Sequence, residues 1–282
     1  MTWLYYSLGT AIGYTCLNLL SRTVSVKSKN PRALSIAFNI VSIFLAIILF
    51  LITGSYKNFS LPIEREAWIY FLIAAFFYGT YEKLRFYASK YLDASVYSII
   101  GNITIVMAFI FSLFLYKEVL TLSKSIGFIL ILLAIFLVSE KKKSKILAKG
   151  LFYGIATSVC IGIAMSLDKK GATFFSPNVY NLLAWMGPFI VLWFPGIRIT
   201  EIKQQFQKFS WKIVLLSFFN FIAYFFGLKA FVLAEVTQVI PIMQLSTIMT
   251  VIAGIFLLNE KSNLAKKLLA GIIAVVGVFL LK

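Results

Sequence analysis

Ten apolar segments, each long enough to cross a lipid bilayer as a helix, dominate this chain of 282 residues. A helix needs about 18 or more mostly apolar residues to cross roughly 30 Å of hydrocarbon. The connections between the segments are mostly about 5 to 15 residues long, which is too short for a separate soluble domain. The sequence therefore predicts an all-α integral membrane protein with ten transmembrane helices. The predicted spans are 3–20, 34–53, 67–89, 94–116, 121–138, 149–168, 178–197, 210–232, 236–258 and 263–281.

The charge balance agrees with this class. Only 13% of the residues are charged, and 27 Lys and Arg against 10 Asp and Glu give a formal net charge of +17. In a soluble chain this excess would suggest nucleic acid as a partner. Here the basic residues lie mostly in the connections, where Lys and Arg set topology and meet anionic lipid head groups. The expected partner is therefore the lipid bilayer of the cytoplasmic membrane, and nucleic acid is not expected.

A basic link over residues 140–148 divides the spans into two groups of five, over residues 1–139 and 149–282. Ala88–Glu118 aligns without a gap onto Ala230–Glu260, so the two groups are predicted to be repeats. Because five crossings is an odd number, the second repeat enters the membrane from the opposite side. Inverted repeats are the architecture of many secondary transporters, whose substrate site lies near the midplane between the repeats.

Each repeat also carries a short local signature. An apolar helix ends in Glu, and a helix with Gly in its first turns follows: Glu118 with Gly127, and Glu260 with Gly271. This pattern resembles the repeat of the drug/metabolite transporter superfamily, EamA type, over essentially the whole chain. The Glu-to-Gly spacing is nine in the first repeat and eleven in the second, so either the second link is longer or Gly271 is not the equivalent glycine. The resemblance implies a cavity surrounded by spans 1–4 and 6–9, with spans 5 and 10 outside it.

Charged residues inside the spans are the first candidates for a substrate site, because a charge costs about 2.5–3.5 kcal/mol at a helix centre. The third span holds Glu82, Lys83 and Arg85, of which Glu82 and Arg85 share one face. Lys229 takes nearly the matching place in the second repeat. The alternative interpretation is a local ion pair with side chains that reach the membrane interface. Asp93 and Glu235, which begin spans four and nine, are predicted to cap those helices.

Uncharged polar and aromatic side chains inside the spans complete the candidate set. Pro241 in the ninth span frees a backbone carbonyl, and the amides Gln238 and Gln244 lie beside it. Asn102 is the repeat partner of Gln244. Each amide has an alternative role in a hydrogen bond between helices, and most of the 28 Phe residues are expected to face lipid or fill the core. The residues predicted to bind substrate are Glu82, Arg85, Tyr78, Tyr81, Asn102, Trp185, Tyr224, Lys229, Gln238 and Gln244.

Features of an enzyme or an ATP-driven pump are missing from the sequence. It has no His, no close Cys pair and no phosphate-binding loop, so we expect no catalytic residues, no metal and no cofactor. The predicted function is secondary transport of a small polar metabolite, such as an amino acid or an amine, coupled to a proton or another ion gradient or working by exchange. The alternatives are export of lipophilic cations or lipid-linked sugars, and a membrane scaffold without transport. A monomer and a homodimer both fit.

The orientation of the chain in the membrane is open to a direct test. Connections on the side of the link between spans five and six carry 17 Lys and Arg, against seven on the opposite side. By the positive-inside rule this link is cytoplasmic and both termini face outside, whereas the family resemblance implies cytoplasmic termini. We expect a reporter that is active only in the cytoplasm to stay inactive when fused to Lys282. Strong reporter activity at Lys282 would overturn the charge count.

Overall fold

The computed structural model describes residues 2–115, 121–138, 145–171, 174–234, 236–260 and 262–280. The described residues form helices and their connections, with no strand among them, so the predicted all-α class is confirmed. The eleven α-helices in this part of the chain are α1 Thr2–Lys27, α2 Pro31–Ile52, α3 Arg65–Tyr91, α4 Ala94–Ile100, α5 Ile103–Leu115, α6 Leu122–Val138, α7 Lys145–Gly171, α8 Pro177–Trp193, α9 Ile199–Leu233, α10 Val236–Leu257 and α11 Leu264–Leu280.

Helix starts follow local sequence signals. α2 and α8 each begin at a proline, Pro31 and Pro177, because a fixed φ and a missing N–H suit the first turn. Asn30 caps α2, since its side-chain oxygen accepts a hydrogen bond from the Ala33 N–H at 3.1 Å. Three described helical segments are long and apolar enough to cross a membrane on their own, namely Pro31–Ile52, Lys145–Leu167 and Ile199–Gly227.

Two predicted spans differ most from the structure. The fourth span is a pair of helices, α4 and α5, separated by Gly101 and Asn102. The Asn102 side chain donates hydrogen bonds to the carbonyls of Ser98 at 3.2 Å and Ile99 at 3.0 Å, so it pairs carbonyls that lie near the break. α9 starts eleven residues before the predicted eighth span and bends at Ser210, where the backbone leaves helical geometry.

The two halves pack through matching pairs of helices. α3 lies along α7 of the second half, and its counterpart α9 lies along α1 of the first half. In the same way α3 packs on α8 while α9 packs on α2, and α5 packs on α7 while α10 packs on α1. Exchanging the halves therefore reproduces the same contacts. The largest apolar cluster contains Phe38 of α2 and Phe86 of α3, whose rings meet edge to face.

α6 and α11 pack against each other at two glycines, Gly127 and Gly277. A Cβ placed on Gly127 would lie 2.5 Å from the Gly277 carbonyl oxygen, and one on Gly277 would lie 2.8 Å from the Gly127 carbonyl oxygen. Gly271, the glycine of the predicted signature, has its nearest neighbouring atom 3.5 Å from such a Cβ. Close backbone contact between small residues drives helix association in lipid, where no hydrophobic effect acts between helices. The glycine that meets Gly127 is therefore Gly277.

We expect Gly127→Ala to destabilise the protein by about 1–3 kcal/mol, although alanine favours helix. The added methyl group would collide with backbone, which cannot move aside as a flexible side chain can. Gly271→Ala is the matched control and should be neutral or slightly stabilising, because its methyl group meets ordinary contact distances. The apparent melting temperature of the purified protein in detergent measures both variants. Equal melting temperatures for the two variants would contradict the close contact.

Candidate functional site

A cavity of about 290 Å³ lies between the two halves, at the middle of the helices. Side chains from every predicted span except the fifth and the tenth, which are α6 and α11, line it, as the family resemblance implies. The described aromatic residues of its wall are Tyr14, Tyr78, Tyr81, Tyr97, Trp185 and Tyr224. The described polar residues of its wall include Asn18, Asn39, Glu82, Ser98, Thr104, Thr157, Ser158, Asn220, Gln244, Ser246 and Thr247.

Glu82 and Arg85 form a buried ion pair on one face of α3. Arg85 Nη1 donates to Glu82 Oε1 at 2.9 Å, and the two residues are 3% and 5% exposed. The guanidinium carbon of Arg85 lies 4.6 Å from the ring centre of Phe38 and 4.9 Å from that of Phe86. These aromatic faces favour a planar cation, so Arg85 stays charged inside the protein. The pair therefore adds no net charge to this side of the cavity.

The two members of the pair differ in their relation to the cavity. Glu82 lines the wall, whereas Arg85 lies behind it and does not. Glu82 Oε2 is buried and has no hydrogen-bond partner among the described residues. Asn39, from α2, gives the wall a second such acceptor: its amide donates to the Trp185 carbonyl at 3.5 Å, while its Oδ1 finds no partner in the described part of the chain. Two acceptor oxygens that lack a donor thus belong to residues of the cavity wall.

The predicted amides divide between the cavity and the helix contacts. Gln244 lines the cavity. Asn102 is 1% exposed and does not line it, and its amide donates to Thr247 Oγ1 of the second half at 3.4 Å. The structure thus gives Asn102 the alternative role, a hydrogen bond between helices next to the break after α4. The side chain of Gln238, like that of Pro241, lies outside the described residues.

Lys229, which was predicted to bind substrate, does not line the cavity. Its side chain is exposed, and its Nζ lies 5.5 Å from the ring centre of Phe225. Both lysines near the predicted site point elsewhere, since Lys83 donates to the Phe194 carbonyl at 2.9 Å. A position inside an apolar span does not fix the direction of a side chain, because helix rotation is set by packing.

Tyr14 and Asn18 of α1 were not in the predicted binding set. Thr10, Tyr14 and Asn18 recur every four residues, a spacing that places them on one helix face. Tyr14 and Asn18 line the cavity, and Thr10 donates to the Ala223 carbonyl of the second half at 3.1 Å. This polar stripe in an apolar helix was the signal in the sequence. No group of His, Cys, Asp and Glu that could hold a metal ion occurs among the described residues.

Comparisons with known proteins agree with the fold. The chain resembles a solved protein crystal structure with a TM-score of 0.61 at 15% sequence identity, covering 96% of this chain and 95% of that chain. At this identity the likeness shows the fold alone. No curated protein matches the chain. The model of the EamA-like transporter family matches residues 2–140 and again residues 148–282. With both halves matched, the chain belongs to the EamA-like transporter family and is an integral membrane transporter of the drug/metabolite transporter superfamily.

Proposed function

We propose that the protein is a secondary active transporter that moves a small amine-bearing metabolite, such as an amino acid or an amine, across the cytoplasmic membrane. The observation that carries this proposal is the cavity between the two halves, with aromatic and amide walls and one buried carboxylate. A site of this kind, concave and mostly apolar with a few convergent polar groups, is typical of small-molecule binding. A volume of about 290 Å³ suits a compact metabolite.

The arrangement of the halves supports alternating access as the mechanism. In this proposal the chain crosses the membrane ten times, and the halves lie in opposite orientations around the cavity. Exchanging the halves preserves the helix contacts. Contacts that close one face of the cavity can therefore have equivalents, made by the other half, that close the opposite face. A transporter of this design moves substrate by rocking one repeat against the other. A proton or ion gradient, or exchange of substrates, would drive the motion.

The charges of the cavity wall favour a substrate with hydrogen-bond donors. Among the described residues of the wall, Glu82 is the one charged side chain. The cations that would attract an anionic substrate are placed elsewhere, since Lys229 is exposed and Arg85 lies behind Glu82. The buried oxygens of Glu82 and Asn39 without partners are acceptors. A buried acceptor without a donor is costly, and a small rotation of either side chain toward the cavity would let an amine or ammonium group supply the missing N–H.

We expect amines and amino acids to raise the apparent melting temperature of the purified protein, because a ligand of the native state stabilises it by mass action. Carboxylates that lack an amino group, and sugar phosphates of similar size, should have no effect. Lys229→Gln is the matched control and should leave the shift unchanged, since Lys229 is outside the cavity. A rise in melting temperature caused by anions, or only by lipophilic cations or lipid-linked sugars, would contradict the amine assignment and indicate that other class as the substrate. Transport of no tested ligand in proteoliposomes would favour a scaffold.

The Glu82–Arg85 pair allows stability to be separated from binding. Glu82→Gln leaves the buried Arg85 without its carboxylate and should cost about 3–5 kcal/mol of stability. The double variant Glu82→Gln with Arg85→Gln removes both charges and should recover most of the folded yield and the melting temperature. It should not recover amine binding or amine transport, because the carboxylate that faces the substrate is gone. Full transport by the double variant would show that Glu82 only neutralises Arg85.

A further inference from the structure

Three charged side chains join the two halves at one face of the molecule: Asp93, Glu260 and Lys267, which we call the clasp. Asp93 belongs to the first half and precedes α4, while Glu260 and Lys267 belong to the second half. All three lie at the ends of helices on the face of the link between spans five and six, where α3 joins α4 and α10 joins α11.

Glu260 is the centre of the clasp. Its Oε1 accepts from the Ala94 N–H at 2.7 Å, and its Oε2 accepts from the Ser95 N–H at 3.1 Å and from Ser95 Oγ at 2.5 Å. Glu260 is only 7% exposed. Space for the carboxylate depends on Gly254, because a Cβ there would lie 2.8 Å from Glu260 Oε2. The carboxylate of one half thus holds the first turn of a helix of the other half.

Lys267 and Asp93 add a second connection beside the first. Lys267, 3% exposed, donates to Asp93 Oδ2 at 2.7 Å and to the Glu260 carbonyl at 3.1 Å. Arg22 lies 3.4 Å from Asp93 Oδ1 and donates to the Ser89 carbonyl at 3.2 Å. Asp93 therefore binds two cations and does not cap α4 with its own side chain, contrary to the sequence-based prediction.

The helix held by the clasp also carries part of the cavity wall. α4 spans only Ala94–Ile100, and its Tyr97 and Ser98 line the cavity. The break at Gly101 separates α4 from α5, so α4 can pivot at its end near the cavity, while the clasp holds its other end. If the clasp opened, α4 could move away from α10 and uncover the cavity on this face.

We propose that the clasp is the gate of the transporter on the face of the five–six link, and that Glu260 positions α4 to keep the cavity closed there. The proposal rests on alternating access as the proposed mechanism. Buried charge pairs contribute little net stability, because the energy of their contacts offsets the cost of removing them from water. Such contacts can therefore form and break during a transport cycle, whereas loss of one partner shifts the balance strongly to the open state.

The test is the reaction of a cysteine in the cavity wall with a membrane-impermeant thiol reagent. Cys16→Ser and Cys160→Ser remove the native thiols, and Ser98→Cys places one in the wall. A separate Lys145→Cys variant, at an exposed position on the link face, shows whether whole cells or inside-out vesicles present that face to the reagent. In that preparation we expect slow labelling at position 98 in the parent and about tenfold faster labelling after Glu260→Gln, as a charge-assisted contact is lost.

Glu201→Gln is the matched control, because Glu201 accepts a hydrogen bond from Asn30 across the halves on the same face but does not contact α4. Its labelling rate should match the parent. If Glu260→Gln lowers the folded yield, Lys267→Gln tests the same gate, because Lys267 joins Asp93, the residue before α4, to the Glu260 carbonyl, and its loss loosens the clasp on both sides. Unchanged labelling in the folded fraction of Glu260→Gln, or of Lys267→Gln where that variant is used, would overturn the gate. So would a parent in which position 98 reacts as fast as position 145.

Labelling requires no substrate, so this proposal and the substrate assignment fail separately. Faster labelling in Glu260→Gln without any amine binding would support the gate and refute the substrate assignment. Amine binding with unchanged labelling would support the substrate assignment and refute the gate.

Discussion

Backbone N–H and C=O groups inside a bilayer have to find partners within the protein, because hydrocarbon offers none. This constraint explains why the described chain is helical, and why its irregular backbone within a predicted span is confined to protected places. The break between α4 and α5 is the clearest case, since the Asn102 side chain donates to two carbonyls of the preceding turn. A break of this kind is tolerated where protein or a cavity surrounds it, which is the position of Gly101 in the cavity wall.

The second constraint is close packing without a hydrophobic driving force. Small residues let helix backbones approach, and the structure uses them where the halves meet: Gly13 against Ala223, Gly162 against the Thr104 carbonyl, and Gly127 against Gly277. The outer pair α6 and α11 packs in this way and contributes nothing described to the cavity wall. The helices that pack at Gly127 and Gly277 are thus different from the helices that line the cavity.

The buried charges at the cavity and at the proposed gate follow the same physical rule. A charge removed from water is tolerated when it is paired and hydrogen-bonded. Glu82 with Arg85 meets this rule inside one helix, while the pair of Lys267 with Asp93 and the hydrogen bonds of the Glu260 carboxylate to α4 meet it between the halves. The first pair is therefore independent of how the halves are placed, and the second set is not. This difference makes the first suited to a binding wall and the second suited to a gate.

The sequence by itself determined the all-α class, the two repeats and the family, because apolar length and repeated local patterns do not depend on distant contacts. It also placed Tyr78, Tyr81, Glu82, Trp185, Tyr224 and Gln244 among the candidates that line the cavity. Tertiary structure alone decided which way each side chain points. Lys229 and Glu82 both lie inside helices, yet only packing sets the rotation that leaves one exposed and one in the wall. Tertiary structure also decided which carboxylate caps α4. Glu260, more than 160 residues away, accepts from the first N–H groups of α4 and the adjacent Asp93 does not, because the contact with Glu260 exists only where the halves meet.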